Sequence, residues 1–145
     1  AGVTAPQASD MERHLARGHN PFLINSREEF RQFYAMTMAS PPWVPGLVLD
    51  AIAQRYQRQR DELEEIFRDF RASPPMEPKL AEIKCPALLL WGRKDRLIDV
   101  SSVPVWSKGI ANLRVEVWDG VGHMPMVEQP GNTARLYREF LGSQR

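Results

Sequence analysis

The stretch PALLLWGRKD, residues 86–95, decides how the second half of this chain is read. A short continuous apolar run stands between Pro86 and Gly92 and closes on Trp91. Its length and its Pro and Gly boundaries favour a strand buried on both faces, as in a parallel sheet covered by helices, over a buried helix. Farther on, Ser101 or Ser102 can cap a helix through Val105 and Trp106. Leu113–Trp118 alternates apolar and charged residues, the pattern of a second strand. Pro130 suits the first position of a helix through Leu136, Tyr137, Phe140 and Leu141. Strand, helix, strand, helix predicts a parallel α/β layer. Two strands are too few to bury such a layer, so the sheet is expected to continue elsewhere. The lone Cys85, ahead of Pro86, is expected to be a small buried side chain.

Everything before this stretch reads as helix. Ser9 and Glu12 form a capping-box pattern, with the hydroxyl satisfying one free N–H while the carboxylate reaches back to another. That helix should stop at Gly18. Ser26 with Glu29 repeats the pattern and opens a helix through Phe30, Phe33, Tyr34 and Met38, which the Pro41-Pro42 pair ends. Leu49, Ile52, Ala53 and Tyr56, then Leu63, Ile66, Phe67 and Phe70, each recur at the spacing of one buried helix face. The polar run between them predicts a break near Asp61. The chain thus divides into a helical part, residues 1–75, and an α/β part, residues 76–145.

Composition narrows the function. The 145 residues carry 19 basic and 18 acidic side chains, so no electrostatic argument favours a nucleic-acid partner. No apolar run approaches the roughly 20 residues of a membrane-spanning helix. The first residues, AGVTAPQASD, lack the basic-then-apolar layout of a signal peptide and do not begin with Met. The compartment is left open. One cysteine allows neither an internal disulfide nor a multi-cysteine metal site. His14 and His19 have no carboxylate or cysteine cluster at ligand spacing, so neither metal nor cofactor is expected.

In open α/β sheets, functional groups collect in the loops beyond the carboxyl ends of strands. Two such loops are Gly92-Arg93-Lys94-Asp95 and Asp119-Gly120-Val121-Gly122-His123. Adjacent parallel strands would bring Asp95 and His123 to one sheet edge. A carboxylate on one ring nitrogen fixes the tautomer of an imidazole and stabilises its protonated form, leaving the other nitrogen to take a proton from a nucleophile. The glycines let the loop turn tightly and keep bulk away from the ring.

LLLWGRKDRLID together with VWDGVGHMPMVEQP resembles the C-terminal part of the α/β-hydrolase fold. The resemblance covers about residues 79 to 141 and implies an α/β fold in which the last two strands follow an all-α cap, residues 1–75. Asp95 matches the family's acid in its W-G-x-x-D pattern. His123 matches the histidine of G-H-x-P-x-x-E-x-P, with Glu128 and Pro130 at the helix start that comes next. AGVTAPQ and PPWVPG are similar to the bacterial lipase and monoacylglycerol-lipase-like branch. Relatives usually carry a proline a few residues after the acid, where this chain has Ile98-Asp99. Asp99 could compete with Asp95, pair at the surface or cap the next helix, but the family pattern selects Asp95.

The family order is Ser, Asp, His, with the serine on a G-x-S-x-G elbow before the acid. No serine here has that setting. Ser9 and Ser26 read as caps, Ser40 precedes prolines, Ser73 lies in a Pro-rich linker, and Ser101, Ser102 and Ser107 come after the acid. The resemblance therefore implies a serine carboxylic-ester hydrolase whose acid and base are here and whose nucleophile is not, so that the fragment alone is expected to be inactive. Its expected partners are the missing N-terminal half or further copies of itself, and its expected substrate is an apolar ester. Met38, Trp43, Leu47 and Met124 are the candidate substrate-binding residues, and contact of the Trp and Pro-rich turn with a membrane interface is a further reading. The alternatives are a C–C bond hydrolase of the same fold and a non-catalytic helical binding or assembly module.

Overall fold

The structure, a computed structural model, describes residues 2–144. Four helices come first: α1 (Asp10–Ala16), α2 (Arg27–Thr37), α3 (Gly46–Arg58) and α4 (Arg60–Ala72). Ser9 closes the capping box of α1, its hydroxyl accepting from the Glu12 N–H at 3.1 Å and its own N–H donating to Glu12 Oε2 at 2.9 Å. Ser26 caps α2 by accepting from the Glu29 N–H. Met38 leaves α2 in an extended conformation, ahead of Pro41 and Pro42. The break between α3 and α4 comes at Gln59, slightly before the expected Asp61, and the two helices adjoin directly.

The apolar faces of α1, α2 and α3 meet in one core. Met11 of α1, Phe30, Phe33 and Met36 of α2, and Ala53 of α3 are buried with Ile24 and Leu97. Each buried Phe contributes about 1.5–3 kcal/mol by leaving water. Phe22 joins α2 to α4, its ring 4.8 Å from Phe33 and 5.6 Å from Phe67. An Arg27–Asp50 ion pair links α2 to α3. Leu97 comes from the α/β half, in the loop after its first strand, and its burial anchors that loop in the helical core.

The second half holds the predicted parallel pair. Strand β1 (Ala87–Gly92) runs alongside β2 (Leu113–Trp118), in register from Ala87 opposite Leu113 to Gly92 opposite Trp118. Helix α5 (Val103–Gly109) connects them and packs on β2 and on a 3-10 turn at Glu77–Glu82, whose Leu80 is fully buried. A short helix α6 (Pro125–Glu128) lies against β1, and α7 (Pro130–Gly142) begins at the expected proline. The 3-10 turn and α6 have too few residues to show a period in the sequence.

Four local expectations need correction. The α4 stripe is not a buried face: Leu63 and Phe67 are half-buried while Ile66 and Phe70 are exposed, since the stripe lies beside the core rather than inside it. Leu88–Trp91 are half-buried rather than buried on both faces, since β1 and β2 are the only strands among the described residues. Cys85 is exposed, because it precedes the first pairing of β1 and lies in the turn beside the sheet. Neither Ser101 nor Ser102 caps α5 with its side chain. A 3-10 turn at Val100–Ser102 leads into that helix, capped by Asp99 through the Ser101 N–H, and Pro104 has no N–H to satisfy. Among the described residues, no helix is long and apolar enough to cross a membrane.

Candidate active site

The two loops beyond the strand ends are built against each other. Arg93 N–H donates to the Trp118 carbonyl and Lys94 N–H to the Val121 carbonyl, extending the pairing of β1 and β2 past their last residues. A Cβ on Gly92 would overlap the Gly122 carbonyl oxygen, so only glycine lets the loops cross there. Gly92→Ala is expected to lower stability by about 1–3 kcal/mol or more, through forced backbone displacement. A denaturation midpoint equal to that of the parent would contradict this close crossing.

Asp95 is fixed from three sides. Its Oδ1 accepts from the N–H groups of Leu97 at 2.8 Å and Ile98 at 3.0 Å. Leu97 is held by the helical core, and α1 is docked on the same loop through the Met11 N–H to the Arg96 carbonyl and through Arg96 to Asp10. Oδ2, turned the other way, meets His123 Nδ1 at 2.8 Å. Asp99 points elsewhere, accepting from the Ser101 N–H, so it does not contend for the histidine.

His123 reaches Asp95 from a loop that its glycines make possible. Gly120 has φ of +75°, the left-handed region that side chains rarely adopt. Gly122 is buried against the segment after α2, where a Cβ would come within 2.7 Å of the Ala39 nitrogen. His123 N–H donates to the Thr37 carbonyl at 3.0 Å. The close approach of a second chain segment is therefore a reason for glycine beyond the turn itself.

The environments of the two side chains differ. The Asp95 side chain is 4% exposed and that of His123 is 37% exposed. The hydrogen bond that the ring donates to Asp95 raises the His123 pKa, partial burial of the ring opposes this, and the charge of Asp95 adds to the rise. A raised folded-state pKa means that the pair's contribution to stability is complete below the ordinary imidazole value of about 6.5. That contribution is lost as pH climbs through the higher folded value. Proton NMR titration of the His123 ring should give a midpoint above about 6.5, and a midpoint at or below it would contradict the pairing. The other ring nitrogen has no hydrogen-bond partner among the described residues.

His123 forms part of the wall of a cleft of about 400 Å³. Phe22, Phe67, Phe70, Leu97 and Ile98 line it, with Arg71 also among its walls. Met38, Trp43, Leu47 and Met124 are not among the lining residues. Met38 is buried under Gly122, Met124 is half-buried at the start of α6, and Trp43 and Leu47 are 86% and 84% exposed. Phe67 and Phe70 belong to a helical stripe that the sequence displays, whereas Phe22 stands outside any periodic pattern. Glu128 is marked in the sequence only as part of the helix start after the histidine. Its carboxylate accepts from three backbone N–H groups at separations of 6, 88 and 89 residues, which no local pattern encodes. Among the described residues no group of three or more His, Cys, Asp or Glu is placed to hold a metal ion.

The chain matches the alpha/beta hydrolase family over residues 2–136. It is 34% identical over 125 residues to Lipase 1 of Psychrobacter immobilis, a match covering 84% of this chain and 39% of that protein. It is 37% identical over 68 residues to the monoacylglycerol lipase ABHD6 of Mus musculus, covering 47% of this chain and 20% of that one. The crystal structure of a membrane phospholipase A described as a bacterial virulence factor superposes with a TM-score of 0.94 at 33% identity. That superposition covers 99% of this chain and 46% of the other. The chain thus spans less than half the length of these relatives.

Proposed function

This chain belongs to the alpha/beta hydrolase family, and from that premise we propose that it supplies the acid and the histidine of a serine hydrolase acting on carboxylic esters of lipids. The observation that carries the reading is the 2.8 Å bond between Asp95 and His123 Nδ1, with the ring on the wall of an apolar cleft. In this reading His123 takes the proton of a serine hydroxyl through its other nitrogen while the serine oxygen attacks the acyl carbon. Asp95 holds the ring in the correct tautomer and stabilises the imidazolium. The proton then passes to the departing alcohol, and water releases the acyl group by the same route in reverse order.

The nucleophile is proposed to be a serine that is not among residues 1–145. Supporting this, the serine hydroxyls of Ser9 and Ser26 cap helices, and that of Ser101 accepts from the Gln7 N–H. Those of Ser73, Ser102 and Ser107 donate to backbone carbonyls. Each strand has one edge unpaired among the described residues, a feature that invites further strands. Those strands are proposed to come from the remainder of the hydrolase or from a second copy.

An acyl chain would lie between Phe22, Phe67, Phe70, Leu97 and Ile98. Trp43 and Leu47, outside that cleft and largely exposed, are suited in this reading to the lipid surface that presents the ester. The names of the relatives, two lipases and a phospholipase, support a lipid ester as the substrate class. The test is hydrolysis of p-nitrophenyl esters of graded chain length by the full-length gene product. Turnover should increase with pH through the raised His123 pKa, because only the neutral ring can accept the serine proton. Absence of turnover with every ester, or a profile flat across that range, would count against the proposal.

A further inference from the structure

We propose that Glu128 is a positioning residue for His123 and ties the placement of that ring to the segment immediately after α2. Its carboxylate does no work for its own helix. It stands at the end of α6, and neither α6 nor α7 has a side-chain cap. Instead Oε1 accepts from the Gly122 N–H at 2.7 Å, and Oε2 accepts from the N–H groups of Ala39 and Ser40, both at 2.9 Å. A carboxylate offers acceptor sites on both oxygens, and bonds to a charged acceptor are about twice as strong as neutral ones.

These three bonds tie the residue before His123 to the segment after α2. Gly122 immediately precedes His123, and the His123 N–H itself donates to the Thr37 carbonyl, just ahead of Met38 and Ala39. Gly122 also lies within contact of Met38 and Ala39 with no room for a side chain. The backbone on the N-terminal side of His123 is therefore clamped to residues 37–40, and Glu128 is the charged member of the clamp. Asp95 fixes the ring from the side of β1, while Glu128 fixes the loop from the side of α2. A displacement of residues 37–40 would pass to His123 through this carboxylate.

The inference rests on the hydrolase reading for its kinetic consequence, though not for its geometry. The experiment compares Glu128→Ala and Glu128→Gln in the full-length gene product, by ester kinetics, thermal melting and NMR titration of His123. Glutamine fills the same space but would turn its NH2 toward one of the N–H donors, so both variants are expected to lose function. kcat should fall roughly ten- to hundredfold, with KM within about twofold, as expected for a misplaced catalytic group. The His123 titration midpoint should shift in both variants while the fold persists. A role in filling space alone predicts that Glu128→Gln keeps the parent kcat and titration, which would overturn the proposal. Collapse of the fold in both variants would overturn it as well, in favour of a purely structural role. If the parent shows no ester turnover, the hydrolase reading fails, and the NMR midpoints alone then decide whether Glu128 positions the ring.

Discussion

His123→Ala in the full-length gene product is expected to lower kcat/KM toward p-nitrophenyl esters by roughly 10⁴- to 10⁶-fold. The size reflects the number of steps one ring performs. In the proposed mechanism it accepts the serine proton on attack, returns it to the leaving alcohol, and repeats both transfers when water removes the acyl group. Without the base, the hydroxyl is almost entirely protonated at neutral pH and a poor nucleophile. The ring contributes little to the core, since it is over a third exposed. The loop is held by the backbone contacts of Gly122 and His123 rather than by the imidazole. The variant should still fold, with a melting temperature lowered to the extent that the Asp95–His123 pair stabilises the parent. A variant retaining more than about a hundredth of the parent activity would remove His123 from the chemistry.

Asp95→Asn should cost about 10⁴-fold in kcat, for a reason legible in the hydrogen bonds. Oδ1 accepts from the Leu97 and Ile98 N–H groups, so an asparagine must keep its oxygen there. Its NH2 is then turned toward His123 Nδ1, which must accept rather than donate. That places the ring proton on the other nitrogen, the one that would have to receive the serine proton. The loop geometry survives and the tautomer is wrong. The raising effect of the Asp95 charge and hydrogen bond also disappears, so the His123 titration midpoint should drop below its parent value. Activity within about tenfold of the parent, or an unmoved midpoint, would contradict the assigned roles.

Much of this arrangement is legible in the sequence because it is written in short-range patterns. The run PALLLW reads as a strand and the Ser9 and Ser26 boxes read as helix starts, since hydrophobic period and capping chemistry act within a few residues. Asp95 and His123 can be paired because corresponding loops of adjacent parallel strands share an edge. What stays hidden depends on contacts between distant segments. The half-buried faces of β1 depend on how many strands surround them. The Glu128 clamp joins residues 88 and 89 positions apart, a distance that no local pattern spans. The Phe22 contribution to the cleft depends on the docking of α2 and α4 around it. Even the glycines of the histidine loop have a second reason, the approach of Met38 and Ala39, that the loop alone cannot reveal.

That Asp95 and His123 activate a serine outside these residues is tested most directly by treating the full-length gene product with a fluorophosphonate and locating the adduct by mass spectrometry. A single rapidly formed adduct is expected on a serine that is not among residues 1–145, formed far more slowly in His123→Ala. An adduct on a residue within this chain, or labelling of His123→Ala at the parent rate, would contradict the assignment.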